Sequence, residues 1–191
     1  MVSDRPLRIL VIGGADGLAG QVGSLFRARG AVAEVQPISV VGAGSLGPEA
    51  LDILIFADDT DAPDRRPEEV SRREMQTAAR RLTYEPFRIA SLARPLLREA
   101  GGKIVLLTRT DACMEHEDRR GRYLERPFRA ASHNLWRCFS CEWRAEGIET
   151  TVVALAPRQD LSHEFVDLIR AYRTPDSGVE LIDPEGRVLG W

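Results

Sequence analysis

Apolar residues fall into short unbroken runs, separated by longer segments in which they return every three or four positions. The runs are residues 7–12 (LRILVI), 52–57 (DILIFA), 103–108 (KIVLLT) and 150–156 (TTVVALA). Runs this short, without polar alternation, read as strands buried on both faces, the habit of a parallel sheet. Residues 31–38 and 179–182 predict two more strands. Residues 17–29 carry Leu18, Val22, Leu25 and Phe26 at helical spacing, with Gly30 as the stop. Residues 40–50 are glycine-rich and 58–66 are polar and proline-punctuated, so both predict loops. Residues 68–99 predict a long helix broken near Pro86 and Pro95 and ended by Gly101 and Gly102. A charged loop over 109–124 precedes a helix over 128–146 that Gly147 closes. A short helix over 162–172, N-capped by Ser162, and a turn at 183–186 complete the chain. Strand and helix alternate without an internal repeat, which predicts one doubly wound, mostly parallel α/β domain over residues 1–191.

Composition narrows the function classes. The formal net charge of -3 argues against a general nucleic-acid binder. Lys103 is the only lysine, and the arginine excess reads as genomic base composition rather than a set of phosphate clamps. No apolar run approaches the roughly 18 residues of a membrane span, and residues 1–10 lack the apolar stretch of a signal peptide. Cys113, Cys138 and Cys141 are an odd, sparse set, as expected in a reducing cytoplasm. Cys138 and Cys141 are spaced C-x-x-C but lie inside a predicted helix, so they read as packing residues, with no second pair for zinc. His116, His133 and His163 have no metal-ligand spacing, and residues 115–118 read as a solvated loop.

Five landmarks occur in a meaningful order. They are IGGADGLAG (12–20), FADD (56–59), ARPLLREAGGKIVLLTRT (93–110), CEWRAEGIETTVVALAP (141–157) and SGVELIDPEGRVLGW (177–191). Together they resemble the short-chain dehydrogenase/reductases along nearly the whole chain: the T-G-x-x-x-G-x-G turn, N-N-A-G, G-G-x-I-V-N before I-S-S, a G-I-R-V-N strand ending in P-G, and a C-terminal V-D-G-G. The resemblance implies a Rossmann-like fold. It also implies a tyrosine that takes the alcohol proton, and a lysine four residues later that lowers the tyrosine's pKa and holds the nicotinamide ribose.

Each chemical position is altered. Counting back from Glu142 and Gly147 puts Glu125 at the tyrosine position and Arg129 at the lysine position. No Tyr-x-x-x-Lys exists in the chain. The serine position falls at Arg109, flanked by Thr108 and Thr110, and the asparagine position near Leu82 or Thr83. The three turn glycines map to Gly13, Gly17 and Ala19, and Gln36–Pro37 stand where an acid would bind the adenosine ribose. Gly13 and Gly17 read as a preserved strand-to-helix turn rather than a dinucleotide site. Asp58 and Asp59 read as the start of a charged loop. Residues 38–51 and 158–177 are too short for the adenine-side helix and strand and for the substrate lid of the family.

These losses imply a catalytically inactive chain without a bound cofactor. Trp136 and Trp143 lie seven apart on one stripe, with Leu135 and Phe139 beside it. In the family this helix and the preceding long one pair with their copies from another subunit, so these four residues are expected at a four-helix interface. The expected role is a cytoplasmic structural or regulatory subunit of a heteromeric dehydrogenase. Its partner would be an active paralogue, in acyl-CoA or aromatic-compound metabolism, or a second copy of this chain. The alternative is a non-redox cyclase or dehydratase using Glu125, Asp58 or His133 as acid/base groups.

Overall fold

The computed structural model describes residues 5–42, 46, 50–60, 65–112, 122–157 and 159–191. Strand β1 (Arg8–Ile12) turns through Gly13 and Gly14 into α1 (Leu18–Ala28), which returns to β2 (Val32–Gln36) beside β1. The chain then crosses to the other side of β1 as β3 (Ile53–Phe56). Helices α2 (Arg72–Ala79) and α3 (Glu85–Ala100) lead to β4 (Lys103–Arg109), and α4 (Arg126–Trp143) leads to β5 (Glu149–Leu155). Helix α5 (His163–Ala171), β6 (Leu181–Ile182) and β7 (Val188–Leu189) close the fold. Among the described residues the sheet has seven strands in the order β2-β1-β3-β4-β5-β6-β7, and only the β6–β7 pair is antiparallel. This is the doubly wound α/β architecture that the alternation predicts. Between β2 and β3 the described residues form no further helix or strand.

The unbroken apolar runs are explained by covering on both sides. Leu10, Ile12, Leu54, Phe56, Ile104 and Leu106 face α3 and α4, while their neighbours Ile9, Val11, Ile53, Ile55, Val105 and Leu107 face α1 and α5. Lys103 is buried at the start of β4, and its Nζ donates to the carbonyls of Ile169 and Tyr172, which capture the end of α5.

The interface stripe expected on α4 lies in this core instead. Trp136, Phe139 and Trp143 are 0%, 4% and 3% exposed in the single chain. Trp136 meets Phe56 edge-on at 5.3 Å, and Phe139 stacks on Trp143 at 4.1 Å. Leu135 alone of the four stays half-exposed. Cys138 and Cys141 are corrected the opposite way: both are exposed, not packed. They stand on the outer face of α4 because the apolar arc of that helix is filled by the aromatic residues. Cys113, His116 and residues 115–118 lie outside the described residues.

The long helix also differs in detail. Pro95 sits inside α3 without breaking it, and the irregularity is a π turn at Arg80–Tyr84, just before Pro86. Pro86 has no N–H to return to the Leu82 carbonyl, and Ser132 Oγ of α4 donates to that carbonyl instead.

Candidate functional site

Because β2 and β3 flank β1 on opposite sides, the connections leave the carboxyl ends of β1 and β3 in opposite directions. Ligands of open α/β sheets bind in the crevice at such a switch point. Here the crevice holds Gly13, Gly14, Asp58, Asp59 and Thr108.

The glycine turn is shaped by the chain's own contacts. A Cβ on Gly13 would lie 2.4 Å from the Ala57 carbonyl oxygen, and one on Gly17 would lie 2.4 Å from Asp59 Oδ2. Gly17 is the N-cap of α1, which has no side-chain cap and no acid in its first turn. Asp59 supplies both from across the crevice, its Oδ2 accepting the Leu18 amide at 2.8 Å. Ala19, at the third glycine position, is fully buried against the sheet.

At the end of β4, Thr108 is buried and its Oγ1 is joined by a 2.8 Å hydrogen bond to His133 Nε2 of α4. Burial, with the Arg129 charge adding to it, pushes the imidazole down to about 4, so His133 is neutral near pH 7. Thr108, beside the expected serine position Arg109, is thus the hydroxyl at this strand end that faces α4. The Arg109 side chain instead forms a two-pronged ion pair with Asp111, both distances being 3.1 Å.

Glu125 and Arg129 are both shut off from solvent, at 2% and 4% exposure. Glu125 accepts from Arg122 Nη1 at 3.2 Å and lies 3.9 Å from Arg81, which also approaches Asp58 at 3.4 Å. Arg129 reaches the other way, donating to the carbonyls of Asp58 and Thr60 at 3.2 and 3.4 Å. Burial lowers its proton affinity from the ordinary arginine value, against the charges of Asp58 and Glu125. At the asparagine position, Leu82 is buried and Thr83 Oγ1 donates to the Phe128 carbonyl at 3.2 Å.

Two cavities result. One, of about 150 Å³, is walled by Ile12, Phe56, Leu82, Pro86 and Leu106, with Arg129 and Asp58 at its polar side. The other, of about 570 Å³, runs past the start of α1 and collects Asp16, Asp58, Asp59 and Asp160 against Arg109. The structure thus brings Asp58, Glu125, Arg129 and, through Thr108, His133 to one region. Sequence reasoning missed Arg81, Arg122, Asp111 and the capping role of Asp59. The one available signal for that role was an uncapped, glycine-started helix facing an adjacent acid pair. Among the described residues no His, Cys, Asp and Glu group has the arrangement of a metal site.

No protein-family model matches the chain, and no curated protein matches it by sequence. Solved structures match in fold. A protein described as a short-chain alcohol dehydrogenase from Burkholderia multivorans superposes with a TM-score of 0.77 at 20% identity, over 97% of this chain and 100% of that one. The carbonyl reductase Sniffer of D. melanogaster gives 0.79 at 12% identity, with the same 97% and 100% coverage. A carbonyl reductase from Pseudomonas aeruginosa gives 0.76 at 15%, again over 97% and 100%. The chain therefore has the fold of the short-chain dehydrogenase/reductases, and a fold alone assigns no activity. No helix among the described residues is long and apolar enough to cross a membrane.

Proposed function

We propose that this chain is a non-redox subunit of that fold, which binds no dinucleotide and acts by assembling with a catalytically intact paralogue that carries the nicotinamide chemistry. The observation that carries this reading is Asp59 on the first amide of α1. A related fold holds NADP in another Burkholderia multivorans protein, described as a short-chain dehydrogenase/reductase. In dinucleotide-binding α/β folds, the pyrophosphate sits at that helix N-terminus. Two unit charges 4 Å apart repel by about 1 kcal/mol in water and about 4 kcal/mol near a protein surface. That repulsion outweighs the roughly 0.3–1 kcal/mol an exposed helix terminus offers an anion. Asp16 and Asp160 in the same cavity add to it. The residues present therefore do not fit a dinucleotide, and no step is derived through one.

The tyrosine and lysine positions support the same reading. Glu125 is engaged by Arg122, and Arg129 gives its two terminal nitrogens to backbone carbonyls. For assembly, the exposed face beside the buried aromatic arc offers Tyr84 and Phe87 of the π turn and α3, with Phe128, Ala131 and Leu135 of α4. Tyr84 and Phe87 are 56% and 43% exposed, unusual for aromatic residues side by side.

The test is co-expression with an intact family member, comparing wild type with Leu135→Glu by light scattering and thermal melting. The expected result is a mixed oligomer that the variant weakens about 30-fold or more, the scale of an interface anchor, with its melting temperature unchanged within error. Wild type remaining monomeric beside the partner, or nicotinamide-dependent carbonyl reduction by the isolated chain, overturns the reading.

A further inference from the structure

Two polar atoms at the small cavity lack hydrogen bonds. Arg129 Nε and Asp58 Oδ2 are both closed to solvent, and neither makes a hydrogen bond. Arg129 uses its two terminal nitrogens on the carbonyls of Asp58 and Thr60, and it has no ion pair among the described residues. Asp58 Oδ1 accepts the Thr60 amide at 2.9 Å, while Oδ2 approaches Arg81 at 3.4 Å without a hydrogen bond. Buried donors and acceptors left in this state carry the full loss of their hydration. The guanidinium is tied to the main chain of the residue that bears the other orphan, so a donor and an acceptor without hydrogen bonds belong to two linked residues of one cavity.

Both line the cavity of about 150 Å³, whose apolar wall includes Ile12, Ile38, Phe56, Leu82, Pro86 and Leu106 and whose other polar side chains are Arg81, Ser39, Thr60, Thr108 and Ser132. A water takes about 30 Å³, so one bridging water leaves most of this space unfilled, whereas apolar cavities near 150 Å³ accept a benzene ring. A ligand that serves both atoms and fills this space is a flat ring carrying one acceptor and one donor. We propose that this cavity is a binding site for a small single-ring aromatic carboxamide. The amide oxygen accepts from Arg129 Nε–H, the amide nitrogen donates to Asp58 Oδ2, and the ring lies against Phe56 and Leu82. A carboxylate of the same size matches only half of this, because its second oxygen faces Asp58. A plain hydrocarbon leaves both orphans unpaired. The proposal stands apart from the assembly reading, since it concerns the isolated chain.

The experiment is calorimetry on the full chain with benzamide, benzoate and toluene as probes, on wild type, Asp58→Asn and Ile38→Trp. Benzamide is expected to bind at least tenfold more tightly than either other probe. Asp58→Asn puts an N–H₂ donor where Oδ2 stood, so the preference is expected to invert toward benzoate. Ile38 is half-buried in the cavity wall, and its replacement by tryptophan fills the space and is expected to abolish binding. Absence of benzamide binding up to about 10 mM means that water serves both atoms, and it overturns the proposal. So does benzoate binding wild type as tightly as benzamide, an unchanged order of probes in Asp58→Asn, or benzamide binding retained in a folded Ile38→Trp.

Discussion

His133 makes the fold sensitive to mild acid, and the size of the effect follows from its surroundings. The imidazole is buried on α4, hydrogen-bonded to Thr108, covered by Trp191 at 5.7 Å between ring centres, and faced by the Arg129 charge. Its folded pKa is pushed down to about 4 from the ordinary 6.5. Between those values the unfolded chain takes the proton and the folded chain does not. The stability contributed by neutral His133 is therefore fully present above 6.5 and is lost as pH falls toward 4. Linkage between those two pKa values gives a loss of about 2 kcal/mol on going from pH 7 to pH 5. For a chain of this size that is about 4–8 °C in melting temperature. The assay is urea unfolding at both pH values, followed by tryptophan fluorescence, for wild type and His133→Gln. Glutamine keeps a partner for Thr108 and cannot titrate. The variant is expected to be less stable at pH 7 but to lose about 2 kcal/mol less on acidification. The carboxylates and His163 are common to both proteins and cancel. If both proteins lose the same amount within about 0.5 kcal/mol, His133 is not held neutral by the fold and the reasoning fails.

Two further outcomes are expected. Trp136→Ala should cost about 3–5 kcal/mol in urea unfolding, whereas Trp136→Phe should cost much less because it also removes an indole N–H that has no partner; equal costs would contradict the placement of that ring. Asp59→Gly should lower stability by about 0.5–2 kcal/mol through loss of the α1 cap, and should raise the affinity for inorganic pyrophosphate in calorimetry, without any dehydrogenase turnover. An unchanged pyrophosphate affinity would mean that Asp59 does not hold that helix end.

The sheet was legible in the sequence because a doubly covered strand must be apolar at consecutive positions, so residues 7–12, 52–57, 103–108 and 150–156 mark β1, β3, β4 and β5 to within two residues. The two-residue β7 carries no such signal: Val188 and Leu189 are largely outside the core and are set by the turn at Asp183 and by pairing with β6. Helical periodicity located α4 but not the depth of its burial. A tryptophan stripe looks the same whether a partner subunit or the chain's own sheet covers it, and here Phe56 and the strands take Trp136.

The departures from the family's catalytic pattern were legible only as residue identities. Residue identities at 125 and 129 exclude a tyrosine–lysine pair, but they do not say where the new side chains go. A glutamate followed four residues later by an arginine suggests a local ion pair along the helix. That pairing fails because Glu125 only precedes α4, and Arg81 and Arg122 reach it from other segments. Arg129 is left to find carbonyls on the β3 connection. The helix cap is equally nonlocal, joining Leu18 to Asp59 across 41 positions. The residue identities at 125 and 129 and the occupation of the first α1 amide by Asp59 are thus set by different parts of the chain. The first is local to the start of α4, whereas the second depends on the β3 connection being drawn across the crevice. On the proposed reading, a tyrosine and a lysine at 125 and 129 would not by themselves free a helix terminus already held by an internal carboxylate.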